Sequence, residues 1–177
     1  MDQPTIRPYR PADYAGVLRG MHDLQDHERA LHPSRRPASE IAEAYLARLL
    51  QRVAERSGAI FVAESAGAAI GFIACYVKDG PSLIETAEFS RYGYVSDLDV
   101  AAGWRGQGLA QRLLAAAERH LAQCGVARLR IGVLAANAAA QRAYARYGFV
   151  PYESELEKRI ASPLPLAEEG STSRALP

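Results

Sequence analysis

Residues 94–121 read YVSDLDVAAGWRGQGLAQRLLAAAERHL, and the change of hydrophobic period inside this stretch decides the fold. Val95 to Val100 carries the alternating, β-branched pattern of a strand. Leu109, Leu113, Leu114, Ala117 and Leu121 then recur at helical spacing and give one apolar stripe. Between them, Gly106 and Gly108 mark a tight turn or a close approach to the backbone. The turn therefore opens a helix, where the first N–H groups have no intrahelical partner and the macrodipole is positive. Such an end attracts anions, and Arg105 adds a cation beside it. A phosphate-bearing ligand is one reading of this turn; an ordinary loop entering a helix is the other.

The chain has 177 residues, the size of one domain with a core of its own. With 49% hydrophobic and 23% charged residues it is a globular composition, neither disordered nor fibrous. A formal net charge of +1 argues against nonspecific attraction to nucleic acid or to an anionic membrane surface. Cys75 and Cys124 form no C-x-x-C pair, so free thiols are expected. No apolar run approaches a membrane span and no basic-flanked leader is visible, which makes cytoplasmic the expected location.

Outward from the central stretch, Ile6 to Tyr9 is a first strand, and Pro11 with Asp13 starts a helix carrying Tyr14, Val17, Leu18, Met21 and Leu24 inward. Arg29 to Pro37 is a loop broken by Pro33 and Pro37. Ser39 is the expected cap of a second helix reaching about Arg56, with Ile41, Tyr45, Leu49 and Val53 inward. Ala59 to Glu64 and Ala69 to Val77 form an antiparallel hairpin turning at Ser65 to Gly67, followed by a loop over Asp79 to Gly93. Arg128 to Leu134 is a strand that completes a βαβ unit and implies parallel or splayed parallel pairing. A helix over Ala138 to Tyr147 ends at Gly148, and one or two final strands are expected within Phe149 to Ile160. Residues 1–160 are read as one α/β domain and 161–177 as a tail without a core pattern.

Two motifs stand in order on the right elements: R-G-Q-G-L-A at Arg105 to Ala110 after L-D-V, and N-x-x-A-x-x-x-Y-x-x-x-G-F from Asn137 to Phe149. Over about residues 5–160 the chain resembles the GNAT superfamily of acyl-CoA N-acyltransferases. The resemblance implies an α/β fold, a mixed central β-sheet with a splayed parallel pair flanked by about four helices. It also implies acetyl-CoA as co-substrate. Arg105, Gly106, Gln107, Gly108, Leu109, Ala110 and Gln111 would cradle its pyrophosphate, which agrees with the anion site read from the helix end. Backbone groups of Leu98, Asp99 and Val100 would pair with the pantetheine arm, with Asn137 and Ala140 on the same arm. Tyr144 matches the family's acid, and a phenol with a pKa near about 10 stays protonated at neutral pH.

The base is less determined. Asp97 and Asp99 share one strand face, and Asp97 is the first choice, directly or through water ending on Asp97, Glu28 or Glu88. Structural carboxylates are the alternative for both. Many relatives carry Glu where this chain has Ser96, so a Glu base at that position is excluded. The segment LQDHERALHP resembles the acceptor side of polyamine and related small-amine acetyltransferases, which would turn Asp26, His27 and Glu28, with Ser96 and Asp97, toward an amine acceptor. A solvated helix face is the plainer reading of that segment.

Other constellations are set aside. His22, His27 and His32 recur every five residues and do not stack as metal ligands do. Gly106-x-Gly108 echoes a dinucleotide fingerprint, but position 111 is Gln and no acidic residue ends the next strand where it should. Ser82 and Ser96 lack a histidine and carboxylate placed to activate them. Arg35 and Arg36, between two prolines, could contact an acidic acceptor or the 3′-phosphate of the cofactor, but solvated loop cations are the plainer reading. The function expected is N-acetylation of a small primary amine; protein lysine or N-terminal acetylation and a non-catalytic acyl-CoA-binding module remain open, as does a homodimer.

Overall fold

The structure is a computed structural model that describes residues 3–80 and 83–160. Its centre is a five-stranded sheet in sequential order: β1 (Thr5–Pro8), β2 (Ala59–Ser65), β3 (Ala68–Lys78), β4 (Tyr92–Val100) and β5 (Leu129–Ile131). The first three pairings are antiparallel and β4 with β5 is parallel, as the βαβ reading requires. Helices α1 (Tyr14–Leu31) and α2 (Ala38–Glu55) cover one face, and α3 (Leu109–Gln123) and α4 (Ala138–Tyr147) lie on the other.

Two cores follow from this layering. Val17, Met21, Ala42, Leu46 and Leu49 of the first two helices close on Ile60, Val62, Phe72 and Ala74. Leu109, Leu113, Leu114, Ala117 and Leu121 of α3 close on Ile73, Cys75, Val77 and Val95. Because both faces of β3 are covered, Ile70 through Val77 is buried without interruption. Each fully buried leucine here contributes roughly 1.5–3 kcal/mol of transfer free energy. Cys75 and Cys124 are free thiols, and burial pushes Cys75 up to about 12.

Three expectations are corrected. No strand forms among residues 149–160. Past Phe149, which packs on Tyr144 and Tyr147, the segment is exposed and rich in Glu, and it lacks the alternation that would bury one face. The Arg128 to Leu134 strand contracts to Leu129–Ile131 because its ladder with β4 ends there. Ser39 does not cap α2: the helix begins at Ala38 behind Pro37, and the Ala38 N–H donates to Asp26 Oδ1 of α1 at 3.2 Å. A carboxylate from a neighbouring helix thus does the work of a cap. The described residues contain no helix long and apolar enough to cross a membrane. Residues 161–177 and Ser82, which figure in the sequence reading, lie outside the described residues.

Candidate active site

The site begins where two strands part. Parallel pairing runs over Gly93↔Leu129, Tyr94↔Arg130 and Val95↔Ile131, whereas β4 continues five residues further to Val100. Beyond Val95 the β5-facing edge of β4, including Leu98, Asp99 and Val100, is therefore outside the ladder. An extended chain or ligand arm can pair along such an edge.

A β-bulge shapes the same strand. Cys75 opposes Val95 and Ala74 opposes Asp97, so Ser96 is the extra residue. Strict alternation would put Val95 and Asp97 on one face. With the bulge, Val95 packs in the α3 core while Tyr94, Ser96 and Asp97 all reach the cavity under α1 and α2.

At the far end of β4 the chain passes through the turn. Gly106 and Gly108 both have φ of +76°, in the left-handed region where a Cβ is penalised. No side chain caps α3 at its Gly108 end. Its leading N–H groups and dipole are left for an anion. Arg105 is fastened at this end: its Nε donates to the Val100 carbonyl at 2.7 Å, and its guanidinium lies 3.6 Å from Asp99 Oδ1. Gln107 reaches back to the Gly103 carbonyl, Leu109 is buried, and Ala110 packs against the α3 core with Gln111 half-buried beside it.

The cavity has a volume of about 490 Å³ and is bounded by α1, α2, β3, β4 and the residues after β5. Asp97 sits in its wall, 6% exposed. Tyr45 Oη donates to Asp97 Oδ2 at 3.3 Å, yet burial dominates and holds the carboxyl above its usual range. Glu28 also lines it and pairs with Arg35, whose Nε is 2.7 Å from Glu28 Oε2 at an angle suited to an ion pair rather than a hydrogen bond. Tyr76 and Tyr94 stand side by side in the wall with ring centroids 5.7 Å apart.

Other residues of the sequence reading fall elsewhere. Asp99 faces α1 in a second cavity of about 480 Å³, where burial pushes it up to about 6 against the pull of Arg105. Asp26 is spent on the α2 N-terminus, and His27 is exposed; neither lines the first cavity. Glu88 is exposed and pairs with Arg128, away from the cavity. Asn137 caps α4, its Oδ1 accepting from the Ala140 N–H at 3.1 Å. Arg36 pairs with Glu40 in solvent. The described residues include no cluster of metal-ligating side chains.

Tyr144 projects from α4 against Phe149, ring centroids 5.9 Å apart. Burial first, and the field of Glu28 second, push its hydroxyl up to about 12. Tyr144 does not itself line the cavity; the field of Glu28 reaches it as it reaches Tyr94 and Asp97. Tyr45, Tyr76 and Tyr94 were not singled out in the sequence as site residues. The signal was there in part: three tyrosines at inward-facing positions, where a phenol needs a polar outlet.

Comparison with known proteins agrees with this architecture. A GCN5-related N-acetyltransferase from Ralstonia eutropha is 26% identical with a TM-score of 0.69, over 90% of this chain and 99% of that one. An aminoglycoside 6′-N-acetyltransferase from Acinetobacter haemolyticus is 19% identical with a TM-score of 0.63, over 90% and 99%. A second aminoglycoside N-acetyltransferase, bound to a CoA–acetylneamine bisubstrate analogue, is 21% identical with a TM-score of 0.64, over 91% and 100%. No curated protein matches. The family model described as acetyltransferase (GNAT) matches residues 21–149, which span the splayed strands, the glycine turn and the Tyr144 helix, and this chain belongs to that family.

Proposed function

We propose that the protein transfers the acetyl group of acetyl-CoA directly to a primary amine of a small molecule. The observation that carries this reading is the continuity of three features: an uncapped helix end with left-handed glycines, a strand edge released from its ladder, and a cavity closed by α1 and α2. Each fits one part of the co-substrate: the helix end its pyrophosphate, the β4 edge its amide-bearing arm, and the cavity the acceptor. Relatives of the same fold include enzymes that acetylate aminoglycosides, which are small-molecule amines.

The residues divide the proton work. An amine nitrogen attacks the thioester carbonyl carbon, a C–N bond forms, and the C–S bond breaks. Asp97 takes the proton from the amine; its upward shift makes it a stronger base than an ordinary carboxylate. Tyr144 gives a proton to the departing thiolate and regains one from solvent. Glu28 and Ser96 border the same space and help to position the acceptor.

The deciding experiment measures free CoA released from acetyl-CoA across panels of small amines and of peptides. Turnover on small amines supports the reading. Turnover confined to peptides moves it to protein acetylation, and background release everywhere leaves only a binding module.

A further inference from the structure

We infer that the acceptor amine also carries an oxyanion, a carboxylate or a phosphate, and that Arg52 and Lys78 hold it. This inference rests on the reading of the cavity as the acceptor site. Its wall contains three cations, Arg35, Arg52 and Lys78, and two carboxylates, Glu28 and Asp97. Glu28 is matched with Arg35. Asp97 accepts from Tyr45 and feels the field of Arg52, but the two form no ion pair. Among the described residues, Arg52 and Lys78 have no carboxylate within ion-pair distance.

What they do have is aromatic support. Arg52 Cζ lies 5.5 Å from the centre of the Tyr76 ring, and its guanidinium donates to Tyr76 Oη at 3.4 Å. Lys78 Nζ lies 4.0 Å from the centre of the Tyr94 ring. Since those rings are neighbours, the two cations share one wall of the cavity that Glu28 and Asp97 also line. Arg52 comes from α2 and Lys78 from the end of β3, so both are held by framework elements. A polycation would meet this wall as repulsion. An amine with an acidic group would place its anion on Arg52 and Lys78 and its nitrogen toward Asp97.

The test compares four acceptors by CoA release: γ-aminobutyrate and phosphoethanolamine, which carry the anion, butylamine, which lacks it, and putrescine, which has a second cation instead. The anionic pair should exceed the other two in kcat/KM by at least about tenfold, and the two anionic arms separate carboxylate from phosphate. Lys78→Glu should lower that ratio by at least about tenfold and raise putrescine, a gain that mere structural damage does not produce. Arg52→Met should lower the same ratio through KM. Preference of the wild-type protein for putrescine or butylamine overturns the inference, as does a ratio unmoved by either substitution. If none of the four turns over, calorimetric titration of γ-aminobutyrate and phosphoethanolamine into wild type and Lys78→Glu decides the anion site alone, independently of the amine and peptide panels that test acetyl transfer. Binding lost in the variant upholds it; absence of binding to wild type overturns it.

Discussion

The turn at Arg105 to Gln111 and the cavity under α1 and α2 are built by opposite means. The turn is made of backbone: two glycines at φ +76°, a helix end with no side-chain cap, and one arginine tied to a carbonyl. The cavity is made of side chains from six separate parts of the chain, including Glu28, Arg52, Lys78 and Asp97. A site of main-chain N–H groups suits an anion that every CoA carries, which is the part we propose for it. A wall of side chains can be rewritten residue by residue, which suits it to the choice of acceptor that we propose for it.

If that division is right, damage to one region should spare the other. Gly108→Val tests it most severely. A β-branched residue at φ +76° costs roughly 1–2 kcal/mol in backbone strain and projects a side chain at the helix end. CoA affinity measured by calorimetry should fall by more than about a hundredfold while the melting transition persists. Tight CoA binding by this variant would break the assignment of the turn.

Tyr144→Phe tests the proton donor proposed on α4. Phenylalanine keeps the edge contact with Phe149. Turnover should fall by roughly 10²-fold with the KM for acetyl-CoA little changed, the signature of a lost proton donor. Equal turnover would remove Tyr144 from the mechanism.

Asp97→Asn belongs to the cavity alone. Turnover should drop by roughly 10- to 10²-fold, and the acid limb of the kcat/KM profile, where wild-type activity falls as Asp97 takes up a proton, should disappear. CoA affinity should be retained. A limb that persists in Asp97→Asn assigns it to another group.

The smallest effect is one of stability. Asp99 sits at about 6 in the folded protein against 3.8 for the free side chain, so the native state binds its proton more tightly than the unfolded chain does. The resulting stabilisation is full below 3.8 and is lost as pH rises through about 6. Asp99→Asn should therefore raise the melting temperature by a few degrees at pH 8 and change it little at pH 4. The shift of about two units bounds the gain at about 3 kcal/mol, less the weakened contact with Arg105. A lower melting temperature at pH 8 would show that the Arg105 contact outweighs burial.

Much of the framework was legible because its causes are local. The alternating run of β4, the glycine turn and the five-residue apolar stripe of α3 each obey the period of one element, and the structure follows them closely. The final strands failed for a related reason: apolar residues at 149, 150 and 152 looked like a strand start, but the Glu-rich segment that follows has no alternation to bury one face. Asp26 misled in another way. Beside His27 and Glu28 it read as acceptor-facing, yet a helix places neighbours about 100° apart, and only Glu28 of the three lines the cavity.

By itself, then, the sequence determined the order of elements, the glycine turn before α3 and the family, since these depend on period, glycine conformation and spacing along one chain. Tertiary structure decided which side chains share a cavity. Extra Ser96 in β4 is not visible as a change of composition, and it sends Val95 and Asp97 to opposite faces. Arg52 and Lys78 are 26 positions apart and meet only because α2 lies over the end of β3. Whether such a cation is matched or left unmatched is a property of packing, and on this wall that property points to the acceptor.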